Sequence, residues 1–339
     1  MRTMRGLMGF VVAAAVLPMS ELGAQTTAGT CVATVSVVGI TAGQDACTKA
    51  RDLFAFMLPQ VGVALSGGNP VLGEGGTLGG WGKRAVSVRV TAVDGSIPDN
   101  TVPIALQGAS RSSNFGAMRA PVPVPSVDAA IGLFAGMPAG LTNLGGVDVL
   151  LGATYMPDVS QNEFSVAPQT SNFAFSYGVR VGALQESSLV PGVSVSYMRR
   201  KLPTTTLGYA SGNDSISVSN LAATSNSLRL VVSKRVAIFG VAAGVGRDQM
   251  ESTAGVDAAV NETVLNVPNR AAIRLSDLRN AVTRNTAFVN ASLGLSILRL
   301  VGEYGYSAAG ETDPTTNTFD GRKANEGYRY GSLGITVRF

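Results

Sequence analysis

Apolar residues occupy every second position of the chain in ten successive runs that begin near residue 84. In the first run, Val86, Val88 and Val90 alternate with Ser87 and Arg89. Successive side chains of a β-strand point to opposite faces, so each run predicts a strand with one apolar and one polar face. A tilted strand of about ten residues is long enough to cross an outer membrane. The runs lie at 86–92, 127–137, 147–155, 173–183, 193–197, 228–233, 237–245, 289–295, 298–306 and 330–339.

The connections between these runs are alternately long and short. Outer-membrane barrels have this asymmetry, with long outer loops and short periplasmic turns, whereas a soluble β-sandwich does not require it. We therefore predict an all-β fold, a transmembrane antiparallel β-barrel of about ten strands over residues 83–339. Segments 101–107 and 215–220 are candidate further strands, which would give a total of about 12 to 14. The long connections are 95–126, 158–170, 203–224, 251–283 and 309–326.

The first 24 residues predict export. Arg2 and Arg5 precede an apolar stretch, and Ala24 ends a small-residue segment, which is the order of a secretory signal peptide. An exported barrel belongs in the outer membrane of a Gram-negative-type bacterium, in contact with its lipids and lipopolysaccharide. Cys31 and Cys47 then lie in an oxidising compartment, which predicts a disulfide between them. Two free thiols are the alternative.

The last alternating run ends on an aromatic residue. Phe339 follows Leu333, Ile335 and Val337 at alternate positions. A terminal aromatic residue on an alternating strand resembles the C-terminal signature of Gram-negative outer-membrane proteins. The resemblance implies that Phe339 is an assembly signal and that the barrel-assembly machinery is a partner. An ordinary edge strand that ends in phenylalanine is the alternative.

Residues 25–82 do not alternate, and we interpret them as a plug or a periplasmic segment. Apolar residues from Ala50 to Val61 recur at helical spacing, with Asp45 as a candidate N-cap and Pro59 near the end, which predicts a short amphipathic helix. Nine glycines between positions 62 and 82 follow and fit no regular element. The helix needs an apolar surface to cover, and the barrel lumen is the nearest. The candidate plug residues are Leu53, Phe54, Met57, Leu58, Asn69 and Pro70.

An N-terminal segment before a barrel, the pair Asn69 and Pro70, and the terminal Phe339 resemble the FadL-type hydrophobic-compound transporters. In that family the N-terminal segment folds into the barrel as a hatch and contains an Asn-Pro turn. The resemblance therefore implies a hatch. FadL-type barrels have more strands than the ten predicted for this chain, so their lateral exit route is not carried over. A periplasmic domain or a loosely held tail is the alternative for residues 25–82.

Eight charged residues occupy inward positions of the predicted strands, and five of them are basic. Two interpretations remain open. A ring of arginines in a narrow pore favours anions or anionic head groups. Alternatively, arginine and carboxylate groups on adjacent strands pair and fill the interior. The candidate lumen charges are Arg89, Asp128, Asp148, Arg180, Arg229, Arg299, Glu303 and Arg338.

Composition restricts the chemistry further. The 339-residue chain contains no histidine, which excludes Ser-His-Asp catalysis and His-ligated zinc or haem. Its net charge of +4 is too small to indicate nucleic-acid binding. We expect no enzymatic activity, no cofactor and no metal.

Three functions remain. The first is a passive outer-membrane channel or transporter for small or amphiphilic solutes, with residues 45–82 as a hatch. The second is a non-transporting structural or adhesive barrel that acts through its long outer loops. The third is a secreted β-sandwich that binds a ligand.

Overall fold

The computed structural model describes residues 37–98, 112–161, 164–211, 214–264, 267–311 and 315–339. Ten antiparallel strands form one closed barrel, which confirms the predicted fold class and strand number. Each strand pairs with its neighbours along the chain, and β10 pairs with β1. The barrel strands are β1 (Arg84–Pro98), β2 (Ala117–Phe134), β3 (Gly146–Tyr155), β4 (Phe173–Leu184), β5 (Gly192–Lys201), β6 (Asp214–Val236), β7 (Phe239–Val264), β8 (Val267–Leu295), β9 (Leu298–Ser307) and β10 (Tyr328–Arg338).

The C-terminus closes the barrel. Ala85 of β1 lies opposite Arg338 of β10, and the pairing continues to Val93. Beyond it, the Phe339 N–H donates to the Arg84 carbonyl at 2.9 Å, and the Arg84 N–H donates to the Phe339 carbonyl at 3.1 Å. The Phe339 side chain is exposed, and its role as an assembly signal stays a prediction.

The barrel is apolar outside and polar inside. Val88 is 58% exposed on the outer face, whereas Arg89, the next residue of β1, is 2% exposed in the lumen. The same alternation recurs along the other strands, so the outward belt faces lipid. The chain is therefore an outer-membrane β-barrel of the Gram-negative type. Within the described ranges, no helix has both the length and the apolar composition to cross a membrane.

The short turns identify the periplasmic end. The β6–β7 turn contains Ala237 and the β8–β9 turn contains Ser296, both at positive φ. They lie at the end of the barrel where β1 begins and β10 ends. Because outer-membrane barrels have short periplasmic turns, the opposite end is the outer one.

Strands β7 and β8 continue well beyond the membrane. They are 26 and 29 residues long and remain paired up to Val264 and Val267. The prediction that 251–283 is a connecting loop is therefore wrong, because paired strands satisfy the backbone groups of the described residues. Residues 215–220 belong to β6 and are not a further crossing strand, and 101–107 lie outside the described residues. The shorter strands are Asn114–Phe115, Met137–Ala139, Thr142–Leu144, Val159–Gln161, Phe164–Pro168, Thr205–Ser211 and Thr318–Phe319.

The outer part of β2 is an edge of the wall. It pairs with β1 from Ala117 onward, but with β3 only from Ser126 onward. Pro121, Pro123 and Pro125 lie in this unpaired part. Alternate residues of a strand direct their N–H groups to the same side. Three alternate prolines, which have no N–H group, can therefore all face the side without a neighbouring strand, and the hydrogen bonds from β2 to β1 are not interrupted.

The N-terminal helix α1 (Val37–Ser66) lies inside the barrel. It has 30 residues and is longer than the predicted short helix. Asp45 is within the helix and pairs with Lys49 at 2.6 Å, so its predicted role as N-cap is wrong. Pro59 also lies inside the helix and does not end it. Burial among the surrounding strands outweighs the loss of one helical hydrogen bond.

The helix points its N-terminus toward the outer end. Phe54 and Leu58 pack against Leu221, Val256 and Leu278, which belong to the outer parts of β6, β7 and β8. Residues 67–82 then continue through the lumen to the periplasmic rim, where β1 begins. We call residues 37–82 the plug.

Candidate functional site: the plug within the lumen

One set of polar contacts between plug and wall centres on Glu303 of β9. Its carboxylate accepts hydrogen bonds from the N–H groups of Gly68 at 3.0 Å and Asn69 at 2.8 Å. Asn290 Nδ2 donates to the same carboxylate at 2.6 Å, and Ser332 Oγ donates at 3.2 Å. Glu303 is 6% exposed, so this anion is satisfied by hydrogen bonds in a buried site.

Two wall arginines hold the same turn through its carbonyl groups. Arg89 Nη1 donates to the Asn69 carbonyl at 2.9 Å. Arg229 donates from Nη2 to the Gly67 carbonyl at 2.9 Å and from Nε to the Gly68 carbonyl at 3.2 Å. Gly67 adopts a φ of 58°, a conformation that favours glycine. The backbone N–H groups of the turn at residues 67–69 thus bind a wall carboxylate, and its carbonyl groups bind two wall arginines.

The wall arginines also pair with wall carboxylates. Asp128 lies 3.0 Å from Arg89 and 2.6 Å from Arg200. Arg180 binds Asp148 at 2.6 Å, and Arg229 binds Asp248 at 2.7 Å. These pairs link adjacent or nearby strands and fill the space around the plug.

Glu74 is the charged group of the plug nearest the periplasm. Its Oε1 lies 2.9 Å from Arg299 Nη1 and 2.8 Å from Arg338 Nη1. Its Oε2 lies 3.9 Å from Arg180 Nη2. The Glu74 side chain is 4% exposed. Three arginines from β4, β9 and β10 therefore surround one plug carboxylate.

The final part of the plug contacts β3, β6 and the β4–β5 turn. The Leu78 N–H donates to Asp148 at 3.1 Å, and the Gly75 N–H donates to Ser233 Oγ at 2.8 Å. Thr77 Oγ1 and Gln185 Oε1 are 2.7 Å apart in a hydrogen bond. Val71, Leu72 and Leu78 are the buried apolar side chains of this region, and Val71 and Leu78 join a wall cluster.

Helix α1 is held differently. Phe56 stacks on Phe319 with ring centroids 4.2 Å apart, and Phe319 also stacks on Phe115 at 5.1 Å. The Asp52 carboxylate accepts three hydrogen bonds of 2.8 Å from Thr316 and Asn317. The outer strands and the 315–327 segment thus enclose the helix.

The candidate lumen charges Arg89, Asp128, Asp148, Arg180, Arg229, Arg299 and Glu303 are all buried in the lumen, and Arg338 is half-buried at its periplasmic rim. Among the candidate plug residues, Phe54, Leu58, Asn69 and Pro70 are buried, and Leu53 and Met57 are half-buried beside Phe56. Cys47 is buried, and Cys31 lies outside the described residues, so the disulfide stays a prediction.

Sequence reasoning missed four charged residues of the lumen. Arg200, Asp248 and Arg284 lie on inward positions, but beyond the ends that we predicted for their strands. Continuing each alternation by a few residues would have found them. Glu74 lies in a glycine-rich stretch with no periodicity, so no sequence signal marks it. Within the described residues, no three Cys, Asp or Glu side chains converge as a metal-binding group.

No protein-family model and no curated protein matches the chain. Similar solved structures include the translocator domain of autotransporter NalP from Neisseria meningitidis, at 14% identity and a TM-score of 0.32 over 77% of this chain and 89% of that one. The transport unit of the autotransporter AIDA-I from Escherichia coli has 11% identity and a TM-score of 0.31 over 76% and 90%. The outer membrane channel DcaP of Acinetobacter baumannii has 11% identity and a TM-score of 0.18 over 76% and 96%.

These values are too low to carry a function from those proteins to this chain. The comparisons also do not show the predicted resemblance to FadL-type transporters. The functional conclusion therefore depends on the lumen itself.

Proposed function

We propose that the protein is a gated outer-membrane channel for small or amphiphilic solutes, and that the plug is its gate. The observation that carries this proposal is that the chain's own N-terminal segment occupies the lumen from the outer end to the periplasmic rim. Residues 67–82 are held there mainly by hydrogen bonds and ion pairs. Water and solute groups can replace such contacts at small net cost, so this part of the plug is the part that moves.

A reversible crosslink tests the gate. A Cβ added at Gly182 would lie 3.6 Å from the Thr77 Cβ, which is close to disulfide geometry. We expect the Thr77→Cys/Gly182→Cys variant to insert normally and to give no current in a planar bilayer while oxidised. Reduction should restore the openings of the parent chain, because it frees the periplasmic part of the plug.

A second crosslink serves as the matched control. Ser66 Oγ and Ser225 Oγ are 2.6 Å apart at the end of helix α1. The Ser66→Cys/Ser225→Cys variant fixes the helix and leaves residues 67–82 free, so its openings should persist when it is oxidised. The parent chain with and without reductant controls for the two native cysteines. Absence of current from the parent and from both reduced variants, despite heat-modifiable migration on gels, would refute the channel.

A structural or adhesive barrel is the second candidate. Strands of 26 and 29 residues exceed the ten or so that cross the membrane, so the β7–β8 hairpin projects outward. The exposed Arg274 and Arg279 lie on this hairpin, where they would contact acidic lipopolysaccharide. Cells that lose surface attachment when residues 255–274 are shortened, with unchanged solute uptake, would favour this candidate.

Three further proposals concern processing. Residues 1–24 act as a signal peptide, Cys31 and Cys47 form a disulfide, and Phe339 is read by the barrel-assembly machinery. N-terminal sequencing of the exported protein, thiol labelling with and without reductant, and the insertion yield of Phe339→Ala test them in turn.

A further inference from the structure

We propose that Arg180, Arg299 and Arg338 form a binding site for a small oxyanion at the periplasmic mouth, and that Glu74 occupies this site in the closed state. The ligand class is a solute that carries a carboxylate or phosphate group. This inference rests on the proposed gating function, and it names the class of solute that opens the gate.

The site already holds a carboxylate. Arg299 and Arg338 each place Nη1 within 2.9 Å of the same Glu74 oxygen, and Arg180 faces the other oxygen from 3.9 Å. Guanidinium groups bind carboxylate and phosphate oxygens through the same charge-assisted hydrogen bonds. An oxyanion of similar size can therefore take the place of the Glu74 side chain.

The partner of Arg299 and Arg338 distinguishes these two arginines from Arg180 and from the other carboxylate-paired arginines of the wall. Arg89, Arg180, Arg200 and Arg229 each pair with a wall carboxylate. Among the described residues, the carboxylate that pairs with Arg299 and Arg338 comes from the plug. When the plug moves, these two arginines lose their counter-charge, whereas the four others keep theirs.

The net charge of the lumen also favours an anionic ligand. The described lumen wall carries seven arginines, counting Arg338, and four carboxylates, which is a net charge of +3. Within the described plug, Asp45 pairs with Lys49 and Asp52 with Arg51, so Glu74 supplies a net charge of −1. An open lumen is therefore basic, and basic pores favour anions.

The site is reached from the periplasm. Arg338 is the last residue of β10 and its side chain is 28% exposed, whereas Arg180 and Glu74 are buried behind it. Arg235, near the end of β6, is half-exposed at the same rim, where it pairs with Glu186 at 3.7 Å. An incoming anion meets Arg338 first and then competes with Glu74 for Arg299.

The substitution Glu74→Gln in the full chain tests the site. The amide has nearly the same shape but no charge, so it competes weakly for the arginines. We expect inorganic phosphate to bind this variant about tenfold more tightly than the parent, because the site is no longer occupied by a carboxylate. Titration calorimetry in detergent measures this difference without any channel activity. The triple variant E74Q/R299Q/R338Q should lose the binding.

Two arginines on the outer face, Arg199 half-buried and Arg247 exposed, provide the matched control. Arg199→Gln/Arg247→Gln in the E74Q background removes the same charge far from the lumen and should leave phosphate binding unchanged. Equal phosphate affinity for the parent, E74Q and the triple variant would overturn the inference. Glu74→Ala, which removes the side chain, repeats the measurement if the amide variant fails to insert.

Bilayer currents separate this inference from the gating proposal. With both correct, E74Q opens more often than the parent, its currents prefer chloride over potassium by about threefold or more, and R299Q/R338Q removes the preference. Currents with no anion preference would overturn the anion site and leave the gate standing. Phosphate binding without current in any variant would overturn the gate, and with it the role of the site in opening.

Discussion

The two halves of the plug are held in the lumen by different forces. In the outer half, Phe54, Phe56 and Leu58 of helix α1 pack into apolar clusters with the long strands and with Phe319. In the periplasmic half, residues 67–82 are bound mainly by wall arginines, carboxylates and hydroxyl groups. We call helix α1 the anchor and residues 67–82 the latch, because the first is held mainly by apolar packing and the second mainly by polar contacts.

This difference in the holding forces indicates which half of the plug can move. Exposing a buried apolar side chain to water costs free energy, because water forms no compensating interaction with it. A hydrogen bond to the wall is exchanged for one to water, so its net contribution is about 0.5–3 kcal/mol, with the upper values for bonds to charged groups. Gating by the periplasmic half alone, with the helix as a fixed support, follows from this contrast.

The largest effect is expected from breaking the anchor. Phe56→Ala removes a side chain that is 1% exposed and stacked on Phe319 at 4.2 Å. We expect a loss of about 3–5 kcal/mol in the stability of the helix within the barrel. Hydrogen exchange of the α1 amides measures this loss. Phe175→Ala, at a lipid-facing position that is 78% exposed, is the matched control and should leave the exchange unchanged.

The next effect is expected at the latch. Glu303→Gln keeps the shape but removes the charge that accepts hydrogen bonds from Gly68 and Asn69. Charge-assisted bonds to a buried carboxylate contribute about 1.5–3 kcal/mol, so the exchange of these two amides should accelerate by about tenfold or more. Exchange in helix α1 should stay as in the parent. Faster exchange in both halves would show that they open together and would contradict the contrast.

Glu251→Gln is the control for this substitution. Glu251 is exposed on the outer face of β7, and its replacement by glutamine removes the same charge. It should leave the amides of residues 67–69 unaffected.

The fold was predictable because the bilayer imposes a period of two. At Val88 and Arg89, alternation alone placed one residue in lipid and the other in the lumen, and the same rule placed seven of the eight candidate charges in buried positions. Strand ends were not predictable, because β7 and β8 continue outside the membrane, where the alternation weakens and bulges interrupt the register near Ala254.

The plug was only partly predictable. Helical spacing around Phe54 indicated a helix, but its length depends on burial inside the barrel, which overrides Pro59. The latch could not be predicted, because Glu74 and Asn69 bind residues that are more than 200 positions away in the chain. Contacts between a glycine-rich segment and the barrel wall produce no periodic pattern in the sequence of the segment or of the wall.

A smaller effect is expected from crowding the latch from the wall side. A Cβ added at Gly334 of β10 would lie 2.6 Å from Leu72 of the plug and 2.8 Å from the Val88 carbonyl. Gly334→Ala should therefore destabilise the periplasmic half by about 1–2 kcal/mol. Gly331→Ala, in the same strand, meets its nearest atom at 3.6 Å and is the matched control. Increased channel opening in the first variant alone would support a latch that moves independently.

The smallest effect is expected from removing a charge from the anchor. Arg51 of helix α1 pairs with Asp52 at 3.2 Å and is partly exposed. Asp52 keeps its three hydrogen bonds to Thr316 and Asn317 when Arg51 is lost, so Arg51→Ala should cost about 0–1 kcal/mol. Protection of the α1 amides should fall by less than about tenfold, as that energy implies. A loss comparable with that of Phe56→Ala would mean that charge, rather than apolar packing, fixes the outer half, and the division of the plug into anchor and latch would fail.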